Sequence, residues 1–140
     1  TKMSATNFLE LKLLDHLVNN AAYTAPNPMF IALATAVSDA EAGSFTEVLA
    51  TVGGSGTGYT RMAAANSSWA SASSGSVTTS ADIQFPVATA AYGSAVTHIA
   101  LMDASSGGNC LLIQALTASK TVDTDDQFVI NSGNLTISLD

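Results

Sequence analysis

Charge is what this sequence has least of. Only 11% of its 140 residues are charged, and the basic ones are Lys2, Lys12, Arg61 and Lys120. With a net charge of −7 no basic stripe can be drawn. That argues against direct nucleic-acid binding, which rests on neutralising phosphates. It also makes anionic membrane surfaces poor partners. Cysteine is nearly absent as well. The lone Cys110 cannot close an internal disulfide, and beside Leu111 and Leu112 it reads as a small buried hydrophobe. No apolar run approaches the ~20 residues a membrane-spanning helix needs. The basic segment followed by a long apolar stretch that marks a signal peptide is missing from the N-terminal sequence, so none is expected. Clusters with zinc-ligand spacing are missing too.

What is there instead is a chain that is 47% hydrophobic, filled out with Ala, Ser, Thr and Gly. By length it is one domain, able to bury roughly 70% of its unfolded surface without a staple. The surface of a free monomer is usually about 25–35% charged. A surface as charge-poor as this one implies that other subunits cover much of it.

The stretch Val96–Leu116 organises the rest. Two apolar runs, Val96–Met102 and Cys110–Leu116, flank a turn containing Gly107-Gly108, a strong hairpin signal. Ile99 and Leu101 face one way, Val96, Ala100 and Met102 the other. A strand apolar on both faces belongs in the middle of a stack. Residues 7–22 are the one convincing helix. Asn7 is placed to cap it, with Glu10 three residues on, and Phe8, Leu11, Leu14, Leu17 and Val18 form an apolar stripe widened by Leu9 and Leu13. That helix either closes one end of the β core or docks on a neighbouring subunit.

Ala25-Pro26-Asn27-Pro28 breaks the helix. Met29–Thr35 then reads as a buried strand, 37–43 as an acidic loop, 47–52 as a short strand, 53–58 as a flexible glycine loop and 59–65 as a strand. Ser76–Phe85 alternates, with Val77, Thr79, Ala81, Ile83 and Phe85 facing in. After a polar turn at 120–126 come a strand at 127–130, a chain reversal at Asn131-Ser132-Gly133-Asn134, and a last strand in which Leu135, Ile137 and Leu139 alternate with polar residues. About eight short strands with frequent turns specify an all-β fold, a two-sheet sandwich or jelly roll with one N-terminal helix. Residues 1–6 read as an N-terminal arm and 7–140 as a single β-sandwich domain that includes the helix 7–22.

Catalytic arrangements do not assemble from these pieces. His98 and Asp103, five apart on one strand, would be about 16 Å apart on opposite faces. A symmetric hairpin puts His98 across from Ala115 and Cys110 across from Asp103, so a Cys–His pair fails. The 53–58 loop lacks the Gly-Lys-Ser/Thr of a phosphate cradle and the last glycine of a nucleophile elbow. Asp123, Asp125 and Asp126 could offer oxygens to calcium but lack the glycine and terminal glutamate of an EF-hand. No catalytic, cofactor-binding or metal-ligating set is therefore assigned, and the chain is not expected to be an enzyme.

A series of short motifs then carries a resemblance. They are Phe8–Leu17 with Ala22-Tyr23-Thr24-Ala25-Pro26, Met29–Thr35, Thr46-Glu47-Val48, Gly58-Tyr59-Thr60-Arg61, Phe85–Ala90, Val96–Asp103, Gly107-Gly108-Asn109 and Leu135–Leu139. In that order the chain resembles a family of small tailed-bacteriophage structural proteins, many named tail fibre proteins, with head decoration or cement proteins among their relatives. It departs from that pattern at Ala91-Tyr92-Gly93, where a Trp is expected before the Gly. The resemblance implies a virion structural protein, made in the host bacterial cytoplasm, with no active site to carry over. The expected role is a capsid cement or decoration protein on the outer capsid surface. It would bridge major capsid protein subunits and associate with itself as a dimer or trimer, stabilising the shell by binding only its assembled state. The alternative is a tail- or fibre-associated module that binds a host receptor glycan. Phe8 and Leu11 on the helix, with Tyr59, Arg61, Trp69 and Tyr92, are the candidate interface residues, because large aromatics and Arg dominate interface energetics.

Overall fold

A computed structural model describes residues 4–138. In chain order its elements are β1 (Ser4–Ala5), α1 (Asn7–Val18), β2 (Met29–Asp39), β3 (Ser44–Glu47), β4 (Thr51–Val52), β5 (Ser55–Gly56) and β6 (Met62–Ala64). After a 3-10 turn at Asn66–Ser68 come β7 (Ser76–Thr78), β8 (Ile83–Gln84), β9 (Val96–Met102), β10 (Cys110–Lys120), β11 (Val129–Ile130) and β12 (Thr136–Ser138). The chain is an all-β sandwich with one N-terminal helix. Thr1–Met3 of the expected arm, and Leu139 of the expected last strand, lie outside the described residues.

The hairpin β9–β10 sits at the centre of the main sheet, whose strand order is β1-β10-β9-β2-β3, with β6 also paired to β2. His98 faces Ala115 as the symmetric hairpin requires, but Cys110 faces Met102 rather than Asp103. The one-place difference is a register shift between Cys110 and Leu112, beside the turn. Asp103 N–H donates to the Asn109 carbonyl at 3.1 Å, and the Asp103 carboxylate takes the Asn109 backbone N–H at 2.6 Å and its side-chain amide at 2.8 Å. Gly108 makes this possible. Its φ is +74°, and a Cβ there would run into the Asp103 carboxylate and into Ala104. A register shift between Ala115 and Lys120 sets Lys120 opposite Val96. Val96 thus turns into the same core as Ile99 and Leu101, not to the opposite face with Ala100.

The inner face of this sheet, with Ile31, Leu33, Ile99 and Leu101, shares one core with Ile83, Phe85, Phe128, Ile130 and Leu135 of the second layer. Phe85, fully buried, stacks on Tyr59 with ring centroids 6.1 Å apart and meets Phe128 edge-on at 5.7 Å. The outer face carries the small residues Ala32, Ala100 and Cys110 with Met102 and Ile113, and it is buried as well. Small side chains there let the β2–β3 turn fold over them. Gly43, at φ +69°, comes so near that a Cβ would lie 2.9 Å from the Cys110 Cβ.

The second layer is two short ladders, not one sheet. The inward positions of 76–85 are as the alternation requires, but a bend at Ser80–Ala81 divides the segment into β7 and β8. β11 pairs with β8 and β12 with β7, both antiparallel. The chain therefore runs in one direction along its partner from Val129 to Ser138. Asn131–Asn134, expected to reverse the chain, is a tight turn that buckles outward, closed by Asn134 N–H on the Asn131 carbonyl at 3.0 Å and pinned by Ser132 N–H on Asp82 at 2.7 Å. The expected glycine loop at 53–58 supplies the turn and the second strand of the hairpin β4–β5, whose first strand, Thr51–Val52, is the end of the strand expected at 47–52. β2 continues to Asp39, so the acidic loop expected at 37–43 is reduced to the turn at 40–43.

Candidate interaction surface

α1 begins one residue earlier than Asn7 can account for. Thr6 is the cap: its side-chain oxygen accepts from Leu9 N–H at 3.4 Å and its hydroxyl donates to the Cys110 carbonyl at 2.6 Å. Thr6 N–H also donates to the Leu111 carbonyl at 3.0 Å, and Asn7 N–H to the Glu41 carbonyl at 2.8 Å. With Thr6 buried and Ser4–Ala5 paired to β10, residues 4–6 fasten the helix to the sheet, where the sequence suggested an arm. The helix stops at Val18, four residues short of the expected end. Asn20 has φ +53°, and the Asn19 amide donates to the Asp15 carboxylate at 2.8 Å.

Seated this way, α1 is apolar on two sides. Leu9, Leu13 and His16 point to a cleft of about 460 Å³ between helix and sheet, walled also by Met29, Trp69, Leu101, Leu111 and Leu112. His16 Nδ1 accepts Tyr23 N–H at 3.3 Å, which holds the following loop beside that cleft. On the opposite side Leu11, Leu14, Leu17 and Val18 are 63%, 58%, 77% and 78% exposed. No residue of the helix is fully buried. Its polar side chains, Glu10, Lys12 and Asp15, interrupt this apolar surface without covering it. The sequence showed one broad apolar stripe on this helix; which part of it faces outward was not legible, because that depends on how Thr6 docks.

The six candidate interface residues scatter. Leu11 is on the exposed stripe, and Phe8 is half-buried against the core, with the Lys12 ammonium 5.7 Å from its ring centroid. Trp69 is half-buried and walls the cleft. Tyr59 and Tyr92 are core residues whose rings meet edge-on at 5.9 Å, so neither presents a ring to a partner. Arg61 is spent internally. Its Nε and Nη2 each donate to a Glu47 carboxylate oxygen at 2.8 Å, and its Nη1 donates to the carbonyls of Ala104 at 2.9 Å and Gly107 at 2.7 Å. Tyr59 OH donates to Glu47 at 2.8 Å and accepts Leu33 N–H at 3.0 Å. Burial pushes the Glu47 carboxyl upward, but hydrogen bonds from Arg61 and Tyr59 outweigh it and hold its pKa below the usual carboxylate value. These residues lock β3, the approach to β6, β2 and the hairpin tip together, and they engage the Arg61 guanidinium inside the chain.

Elsewhere, burial pushes the Cys110 thiol up to about 11, which suppresses the thiolate. Among the described residues no group of three or more His, Cys, Asp or Glu side chains is gathered to hold a metal ion. Asp126 instead accepts Asp123 N–H at 3.0 Å within its own turn. A second groove, of about 480 Å³, runs between 116–122 and 126–134, with Lys120, Asp126, Gln127, Asn131 and Asn134 among its walls.

The family model described as podophage GP4 fiber I protein gp80 matches residues 4–138. The chain belongs to that family. It is accordingly a structural protein of the bacteriophage virion, as the motif order implied. The same match covers α1, the central hairpin and both layers, so the exposed stripe belongs to the family domain itself and not to an appended segment. Comparison with curated proteins gives no match.

Proposed function

We propose that this chain is a non-catalytic building block of the phage fibre, fixed to its neighbours by protein–protein contact through α1. The observation that carries the reading is the exposed stripe Leu11, Leu14, Leu17 and Val18, which holds four of the six exposed large hydrophobics among the described residues. A patch of that kind marks a contact surface. The family's fibre description supports a fibre site over the head-shell cement role expected from the sequence. Both roles share one mechanism, since binding only the assembled particle stabilises that state by mass action.

Particles of the encoding phage assembled without this chain provide the test. Adding back purified wild-type protein carrying a gold label should give saturable labelling of fibres, and Leu14→Asp should not label at all. Labelling of the head shell at a fixed stoichiometry would restore the cement role, with the major capsid protein as partner. No labelling of either would end the reading. Receptor-glycan binding has one observation in its favour, the groove that carries the polar side chains of Lys120, Asp126, Gln127 and Asn134 among its walls. Against it, the aromatic ring that lines this groove, Phe128, is buried and packed edge-on against Phe85.

A further inference from the structure

We infer that the α1 stripe is covered by an apolar groove of another virion protein that carries a lysine or arginine side chain, and that Glu10 is the residue this cation meets. The inference rests on the contact role just proposed for α1 and states the partner's chemistry. Its basis is where Glu10 stands. Glu10 precedes Leu14 by four residues and Leu17 by seven, so on a helix it shares their face and lies between them around the axis. It is exposed, as they are. The stripe is thus four aliphatic side chains with one carboxylate set among them at the N-terminal end.

Nothing described within the chain uses that carboxylate. An acid three residues after a helix cap can reach back to the cap's own N–H. Here the cap is Thr6, so that position falls to Leu9, and Thr6 N–H goes to the Leu111 carbonyl at 3.0 Å. No hydrogen bond or ion pair joins the Glu10 side chain to any described residue. The described cations lie elsewhere. Lys12 is on another side of α1 with its ammonium 5.7 Å from the Phe8 ring centroid, Arg61 is held by Glu47, and Lys120 walls the groove beside Asn134. Two copies laid stripe to stripe and antiparallel would press each Glu10 against the other's Leu17 and Val18, stranding a charge in an apolar contact. Laid parallel, they would bring two carboxylates together. A bilayer surface has the wrong sign, because helices that lie in it carry Lys and Arg and anionic headgroups repel a carboxylate. A groove fits better. Leu11, Leu14 and Val18 have the i, i+3, i+7 spacing of a helix laid in an apolar groove, and a cation on its wall would satisfy Glu10. The four side chains present only roughly 300 Å² at their observed exposure. In so small a contact a charge pair takes a large share of affinity and register.

The gold-labelled full chain, titrated onto particles that lack it at about 0.05 M and about 0.5 M salt, tests this. Glu10→Gln should weaken labelling about tenfold at low salt and less than about twofold at high salt, where the pair is screened. Glu10→Lys, which sets cation against cation, should weaken it about 100-fold or more at low salt. Asp123→Asn removes an exposed carboxylate outside α1 and should leave labelling unchanged. All three variants should keep the wild-type circular dichroism spectrum. If Glu10→Gln labels as well as wild type at both salt concentrations while Leu14→Asp does not label, the inference is overturned and the contact role of α1 stands. Equal weakening by Glu10→Gln and Asp123→Asn overturns it too, since only overall charge would then matter. Light scattering that finds the purified chain at twice 14.2 kDa, and Leu14→Asp at 14.2 kDa, overturns it in favour of a second copy. Absence of labelling by wild type overturns both this inference and the reading it rests on.

Discussion

The Arg61 cluster and helix α1 lie in the same sandwich and are finished in opposite ways. Arg61 is a charged residue taken inside, its side chain only 8% exposed, and its guanidinium makes four hydrogen bonds. α1 is an apolar element left outside, with no fully buried residue and four aliphatic side chains more than half exposed. Burying a charge is tolerable only with its partners attached, and the fold supplies them from segments up to 46 residues away. Exposing leucines is tolerable only if something else covers them. The first region is complete within one chain, and the second is the surface proposed above to be completed by a neighbour.

If that contrast holds, core and helix should answer substitution very differently. Phe85→Ala removes a fully buried ring in contact with Tyr59 and Phe128. It should cost about 3–5 kcal/mol in denaturant unfolding. Arg61→Met comes next, at about 2–4 kcal/mol, because it strands the Glu47 carboxylate and two hairpin carbonyls. Its pH dependence sharpens the point. Folding lowers the Glu47 pKa, so the stabilisation is fully present above about pH 4.5, the ordinary value, and is lost as pH falls through the folded value. Wild type should lose this increment on acidification, and the Arg61→Met protein should have little of it left to lose. Equal acid sensitivity of the two proteins would show that the pair does not anchor this region.

The sequence made the central hairpin legible because two long apolar runs around Gly107-Gly108 admit few other arrangements. The inward alternation of 76–85 was equally plain. What it could not show was burial set by distant partners. Tyr59 looked like a contact anchor because large aromatics dominate interface energetics, yet its ring is buried in the core and its hydroxyl is satisfied by Leu33, 26 positions earlier, and by Glu47. Arg61 misled for the same reason. Thr6 was hidden because a threonine before a helix signals a cap but gives no hint of the carbonyls on β10 that receive it. Asn131–Asn134 has the composition of a reversal, and only the pairing of β11 and β12 with one continuous partner segment shows that the chain does not turn back there.

Two glycines of the hairpin tip separate conformational strain from crowding. Gly107 and Gly108 both have positive φ, +61° and +74°, but a Cβ on Gly107 meets nothing within 4 Å while one on Gly108 strikes Asp103 and Ala104. Gly107→Ala should cost about 1 kcal/mol, from backbone strain alone. Gly108→Ala should cost about 2–3 kcal/mol, because overpacking adds to that strain and opens the turn that positions the carbonyls under Arg61. Similar losses at both sites would mean that the tip is held by φ preference and not by the Asp103–Asn109 contacts.

The smallest expected effect says most about the helix. Leu17→Gln exchanges an exposed aliphatic side chain for a polar one of similar helix propensity, so in the isolated monomer unfolding should change by less than about 0.5 kcal/mol. A leucine that stabilised its own fold would cost several times that. If the monomer is indifferent while assembly is weakened, the side chain's energetic role lies wholly outside its own chain, opposite to Arg61, whose loss should be felt in the monomer first. A cost above about 1.5 kcal/mol in the monomer would place Leu17 inside the fold's own packing and remove the distinction between the two regions.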